Sequence, residues 1–243
     1  MKTNLKLIIA AVVIVVIGAG VFFLSNTSQK PATPAVVVPP QQNVPRPATP
    51  SLTQKKTLSF DNDPVDATPS YVIVGKTGGS LSEWQVKSDP TAPSSPNVLA
   101  QTSQEQVTVH FPFAVLSSEK YKDVNVSVSF KTVSGTIDQS GGIIFRFGDA
   151  NNYYLLRASA TENNVVLYKY VNGRSTVVAS VNSAVSAGKW QTLTVVAIGE
   201  SMEGYLDGKR VLEARDATFL LGSVGLRTKA DSVTYFDNFT IGY

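Results

Sequence analysis

Three strand-like runs each carry a cation: Arg146 in GGIIFRFG (141–148), Arg157 in NYYLLRAS (152–159) and Lys169 in NVVLYKYV (164–171). Successive side chains of a strand point to opposite faces of its sheet. With Ile143, Phe145 and Phe147 inward, Arg146 points outward beside Ile144. With Tyr154 and Leu156 inward, Tyr153, Leu155 and Arg157 point outward. With Val166, Tyr168 and Tyr170 inward, Val165, Leu167 and Lys169 point outward. The cations then stand in register on one face, joined by Arg227 from GSVGLR (222–227). Tyr153 supplies an aromatic platform, and Asn152, Glu162 and Asn164 sit in the adjoining turns. Such a surface suits a sugar, whose C–H faces stack on a ring while its hydroxyl or carboxylate oxygens accept from arginine. Repeated cations favour an acidic glycan. The same residues also fit a solvated sheet face on which long cationic chains cover apolar neighbours.

Cleavage of a glycoside needs a proton donor and a base or nucleophile placed across the bond. Asp138, Asp149, Glu162 and Asp231 all fall near turns, where acids are expected for solubility alone. His110, the only histidine, lies in the strand-like run QVTVHFPF and reads as a packed or surface residue. The chain has no cysteine, which excludes disulfides, thiolate metal sites and a lipid-bearing cysteine. Neither a G-x-S-x-G elbow nor a phosphate-binding glycine loop occurs. Asp61 and Asp63 in FDND and Asp237 in FDNF would meet if the first and last strands pair. Carboxylates in irregular loops are calcium ligands, and they equally well cap strand ends in turns. Trp84 and Trp190 read as core and strand-start anchors.

The elements that must position these groups are short strands. From residue 57 onward the pattern has period two: Val124, Val126, Val128 and Phe130 alternate with Asn125, Ser127, Ser129 and Lys131. Further runs follow at 175–181, 190–198, 204–206, 209–214 and 232–241, separated by Asn172-Gly173, Asp207-Gly208 and Ala230-Asp231. Leu206-Asp207-Gly208-Lys209 is a hairpin signal, because Asp and Gly tolerate the positive φ of a type I′ turn. No stretch after residue 57 combines a helical repeat with caps. The expected architecture is all-β, two antiparallel sheets packed face to face as a sandwich or jelly roll, closed by pairing of the last strand with the first.

Residues 140–174 (SGGIIFRFGDANNYYLLRASATENNVVLYKYVNGR), 188–216 and 222–242 resemble the 3-keto-disaccharide hydrolase-like domains of the concanavalin A-like lectin/glucanase (laminin-G-like) superfamily. The resemblance covers Trp84 to Tyr243. It implies a curved two-sheet sandwich with glycan binding or glycan chemistry on its concave face. The E-x-D-x-x-E carboxylate signature of the glucanases that share this superfold is absent. The hydrolases and lyases of the family carry more acidic and histidine residues around that face than this chain supplies. Laminin-G-like sandwiches also bind proteins, so a protein partner is a further expectation.

Residues 7–24, LIIAAVVIVVIGAGVFFL, are uncharged and follow Lys2 and Lys6. As a helix they would cover roughly 27 Å, enough for a bilayer core of about 30 Å. The lysines place residues 1–6 in the cytoplasm and the rest outside. An uncleaved transmembrane anchor is expected, with a single-pass, extracytoplasmic C-terminal domain; cleavage after Gly18-Ala19-Gly20 would make the protein secreted. Residues 25–56 read as a linker, and 31–50 hold seven of the 13 prolines. Extended at about 3.1 Å per residue, that stretch spans on the order of 60 Å. Residues 1–56 contain six basic residues and no acid, which leaves 15 basic and 18 acidic residues, a net −3, for 57–243. The basic character belongs to the anchor and linker, so nucleic acid is not an expected partner.

Overall fold

The computed structural model describes residues 52–117 and 119–243. The predicted anchor and most of the predicted linker lie outside them. Fifteen strands and no helix are formed among the described residues. They build two antiparallel sheets. In chain order the strands are β1 (Lys55–Leu58), β2 (Val72–Thr77), β3 (Trp84–Ser88), β4 (Asn97–Gln101), β5 (Phe111–Leu116), β6 (Val124–Ser134), β7 (Ser140–Asp149) and β8 (Asn152–Ser159). They continue with β9 (Asn164–Val171), β10 (Arg174–Asn182), β11 (Gln191–Ile198), β12 (Ser201–Leu206), β13 (Lys209–Arg215), β14 (Ser223–Arg227) and β15 (Val233–Gly242). The first sheet runs β13-β12-β11-β6-β15-β4-β3, with β1 also paired to β15; the second runs β10-β9-β8-β7-β14-β5-β2. The expected closure of first strand on last is present, with Lys55 opposite Gly242 and Leu58 opposite Phe239.

The core lies between the sheets. β6 buries Val124, Val126, Val128 and Phe130 against Ile143 and Phe145 of β7 and Tyr154 and Leu156 of β8. Trp84 stacks on Phe236 at 5.7 Å in this core, as expected of an anchor. Asp207 and Gly208 take the positive φ angles, 50° and 75°, that their turn requires.

The two outer faces differ. That of the first sheet is polar, with hydroxyls paired across strands: Thr194 Oγ1 donates to Ser127 Oγ at 2.9 Å. An antiparallel sheet commonly leaves one face wet in this way. On the outer face of the second sheet, Phe113, Val115, Ile144, Tyr153, Leu155 and Tyr170 form a second apolar cluster. Strand β8 is therefore buried on both sides from Tyr153 to Ser159.

Two strand phases depart from the sequence expectation. In β9, Val165 and Leu167 enter the core while Tyr170 joins the outer cluster with Tyr168 packed on it, the reverse of the expected faces. Register fixes this, since Tyr153 lies opposite Tyr170 and Tyr154 opposite Lys169. In β7 a bulge after Phe145 sets Arg146 at φ 50°. The bulge turns Arg146 off the outer face and sends Phe147 to the outer cluster rather than the core.

Candidate functional site on the second sheet

Arg157 of β8 and Arg227 of β14 both lie opposite Gly142 of β7, on either side of it. Gly142 itself puts no side chain between them. A Cβ on Gly142 would sit 2.8 Å from Leu155 Cδ1 and 2.9 Å from the Leu156 carbonyl oxygen. The two guanidinium groups thus line one pocket of about 170 Å³, walled by Phe111, Tyr168, Tyr170 and Lys229.

The arginines are held differently. Arg157 makes a fork on Glu162, Nη1 donating to Oε1 at 3.1 Å and Nη2 to Oε2 at 2.5 Å, and Nη2 also donates to Asn164 Oδ1 at 2.9 Å. Asp138 lies 3.5 Å away, and Lys229 Nζ joins both acids, at 3.1 Å from Asp138 and 3.0 Å from Glu162. The Arg157 hydrogen bond above all, helped by Lys229, holds the Glu162 carboxyl down at about 2 despite its partial burial. Glu162 is set in place by its own backbone N–H, which donates to Ser159 Oγ at 3.1 Å; Ser159 in turn donates to Asp138 at 2.9 Å.

Arg227 has no such compensation. Only 3% of it is exposed, and among the described residues no carboxylate lies within 4 Å of its guanidinium. It is held by rings instead: 4.1 Å from the Phe111 centroid, 4.6 Å from Tyr170 and 5.7 Å from Tyr153. Its Nη1 donates to Tyr153 Oη at 2.7 Å, and its Nε is buried without a partner. Burial pushes the Tyr153 phenol up to about 12, against the opposing pull of Arg227, so the ring stays neutral. Tyr170 stacks on Tyr153 with centroids 4.6 Å apart and planes 11° off parallel.

Loops complete the walls. The Asp231 carboxylate accepts from the backbone N–H groups of Thr136, Ile137 and Asp138 at 2.7, 2.9 and 3.1 Å, which sets Asp138 beside Arg157 and Lys229. The buried His110 fastens the Lys229 loop, its Nδ1 3.1 Å from the Ala230 carbonyl oxygen and its Nε2 against that of Leu81.

Of the residues singled out in the sequence, Arg157, Arg227, Glu162 and Asn164 come together here. Tyr153 does too, as a buried floor rather than a platform; the rings that line the pocket are Phe111, Tyr168 and Tyr170. Arg146 is elsewhere, donating to the carbonyls of Phe219 at 3.0 Å, Lys122 at 3.3 Å and Gly199 at 2.6 Å. Lys169, on the core side of β9, reaches Asp216 at 2.5 Å and Thr218 at 2.9 Å. Asn152 ties the β7–β8 turn, donating to Asp149 at 3.0 Å and accepting from Asn172 N–H at 3.0 Å. Asp61, Asp63 and Asp237 fasten loops. Asp237 accepts from Ser94 N–H at 2.6 Å and Ser94 Oγ at 2.8 Å, Asp61 from Asn97 N–H at 3.0 Å, and Asp63 from the Tyr71 hydroxyl at 2.5 Å. Among the described residues no three His, Asp or Glu side chains gather as metal ligands would.

Relatives carry this architecture. A levanase of Bacillus subtilis (strain 168) is 30% identical over 127 residues, which is 52% of this chain and 19% of the levanase. The chain thus spans about a fifth of that enzyme's length. The carbohydrate-binding module CBM66 from Bacillus subtilis superposes with a TM-score of 0.57 at 23% identity, over 70% of this chain and 95% of the module. Domain 4 of AbnA, a GH43 extracellular arabinanase from Geobacillus stearothermophilus in complex with arabinotriose, gives 0.52 at 13% identity, over 76% and 90%. At these identities the two structures show the fold alone. Residues 75–242 match the model of one family, in agreement with the resemblance carried by the sequence motifs: the chain belongs to the 3-keto-alpha-glucoside-1,2-lyase-like domain family.

Proposed function

We propose that this protein is a carbohydrate-binding module, held at the outer side of a membrane by residues 7–24, and that the Arg157/Arg227 pocket takes a sugar unit of a wall polymer or exopolysaccharide. The observation that carries the reading is Arg227: a buried cation, lining a pocket, with rings on its flanks and no carboxylate partner. A desolvated charge is costly unless enough acceptors meet it; Tyr153 Oη is one, and sugar hydroxyls would supply more. The rings beside it offer faces for sugar C–H groups. Levan is the first glycan to test, because a levanase supplies the sequence relative.

Binding is favoured over cleavage by the state of the acids. Glu162 is kept ionised by Arg157 and Lys229, so it lacks the proton a general acid must give. Asp138 is fully buried beside Arg157 and Lys229 and does not itself line the pocket. Affinity electrophoresis of the purified chain in gels containing levan, arabinan, xylan or an acidic exopolysaccharide tests the reading. Retardation by one of them with the polymer left intact is expected; no retardation by any would refute it. The tether is checked separately: the chain should fractionate with membranes, and protease added to intact cells should remove the β domain.

A further inference from the structure

A second recess adjoins the first on the same outer face. It has a volume of about 200 Å³, and its lining includes Thr77, Val109, Phe111, Ala150, Asn151 and Tyr170. Phe111 and Tyr170 line both recesses. They flank the Arg227 guanidinium, at 4.1 and 4.6 Å, and so form a saddle between the two. The recesses differ in chemistry. The first is walled by Arg157, Arg227 and Lys229; the second holds no charged side chain and is mostly apolar, with one hydroxyl at Thr77 and one amide at Asn151. Val109 is 62% exposed there, a large apolar side chain left open to solvent at the rim of a cleft.

We propose that the second recess is a second sugar subsite, so that the module binds two consecutive units of a chain across the Phe111–Tyr170 saddle. This rests on the glycan-binding reading of the first pocket. A sugar ring is amphipathic: its hydroxyl edge suits the cationic pocket, and its C–H faces suit rings and a valine. A chain crossing the saddle presents a fresh unit to each recess, and each recess answers a different side of that unit. The mixed character of the second lining, apolar with an isolated hydroxyl and amide, fits a ring lying flat with its polar edge upward.

Calorimetric titration of the full-length chain with levan fragments of one, two and three units tests the proposal. The two-unit fragment is expected to bind about tenfold tighter than the single unit, about 1.4 kcal/mol, with little added by the third. Val109→Asp, at a solvent-exposed position that folding tolerates, should leave single-unit affinity within about twofold while removing the gain from the second unit. Arg227→Met should abolish binding of all three. Equal affinity for one and two units, or a gain that survives Val109→Asp, would overturn the second subsite and leave the first pocket standing. No binding of any levan fragment, nor of fragments of any polysaccharide that retards the chain in gels, would overturn both.

Discussion

At the scale of single residues, the two arginines of the pocket show how one residue type is stabilised in two ways. Arg157 sits among Glu162, Asn164 and Asp138, so its burial is compensated by charge and hydrogen bonds. Removing Glu162 leaves that cation short of a partner, and Glu162→Gln should lower stability by about 1–3 kcal/mol in urea unfolding. The pH dependence has a definite sign. The folded-state value of about 2 for Glu162 lies below its ordinary 4.5. Its contribution is therefore complete above the ordinary value and is lost as pH falls through about 2. The melting temperature should be flat from neutral pH down to about 5 and decline below it, with a shallower decline in Glu162→Gln. Arg227 is held by aromatic faces, interactions of up to about 2 kcal/mol each when desolvated. Arg227→Met loses those contacts and leaves the Tyr153 hydroxyl without its partner, but it also removes the cost of a desolvated charge that has no carboxylate, and the two effects offset each other. Arg227→Met should thus melt within about 3 °C of the parent.

At the scale of elements, the site depends on strand parity. The strands themselves were legible: alternating Val, Ile, Tyr and Phe and the Asn-Gly and Asp-Gly turns placed β6 to β15 close to where they lie. Which face each residue takes was not legible from alternation when both faces are apolar. In β9, Val165 and Leu167 are as acceptable in a core as Val166 and Tyr168. The information lay in the turn instead. Four residues, Ala160 to Asn163, join β8 to β9, and counting pairs back from Ser159 opposite Asn164 puts Tyr170 on the face of Tyr153. Tyr168, Tyr170 and their contribution to the pocket follow from that count. The β7 bulge left no comparable signal, because alternation carries Arg146 straight to the outer face. There Arg146, 1% exposed, satisfies three carbonyls from three loops. Arg146→Met should therefore cost about 3 kcal/mol or more in denaturant unfolding, since each buried carbonyl left without a donor costs about 1–3 kcal/mol. Glycan affinity of that variant should be unchanged, because Arg146 is absent from the pocket. Gly142 makes the complementary case: Gly142→Val, with its side chain set between Arg157 and Arg227, should abolish glycan retention.

At the scale of the whole molecule, the two sheets divide the work. The first presents a polar, hydroxyl-paired outer face, and the second covers its outer face with rings and paired charges. β1, where the described chain begins its pairing, belongs to the first sheet, opposite the one that carries the pocket. The sandwich and its closure were readable from strand spacing, and the excess of basic residues before residue 57 already set the N-terminal 56 residues apart from a mildly acidic domain. A folded domain that binds a ligand gains stability from it, about 2.7 kcal/mol at a ligand concentration one hundred times Kd, so the bound glycan should raise the melting temperature of the parent chain and not that of Gly142→Val. The most direct measurement is calorimetric titration of levan into the parent chain and into Arg227→Met under identical conditions. Saturable binding by the parent and none by the variant, with both melting within about 3 °C of each other, is the predicted result. Equal binding by the two would contradict it, as would a parent that binds neither levan nor any of the other polysaccharides.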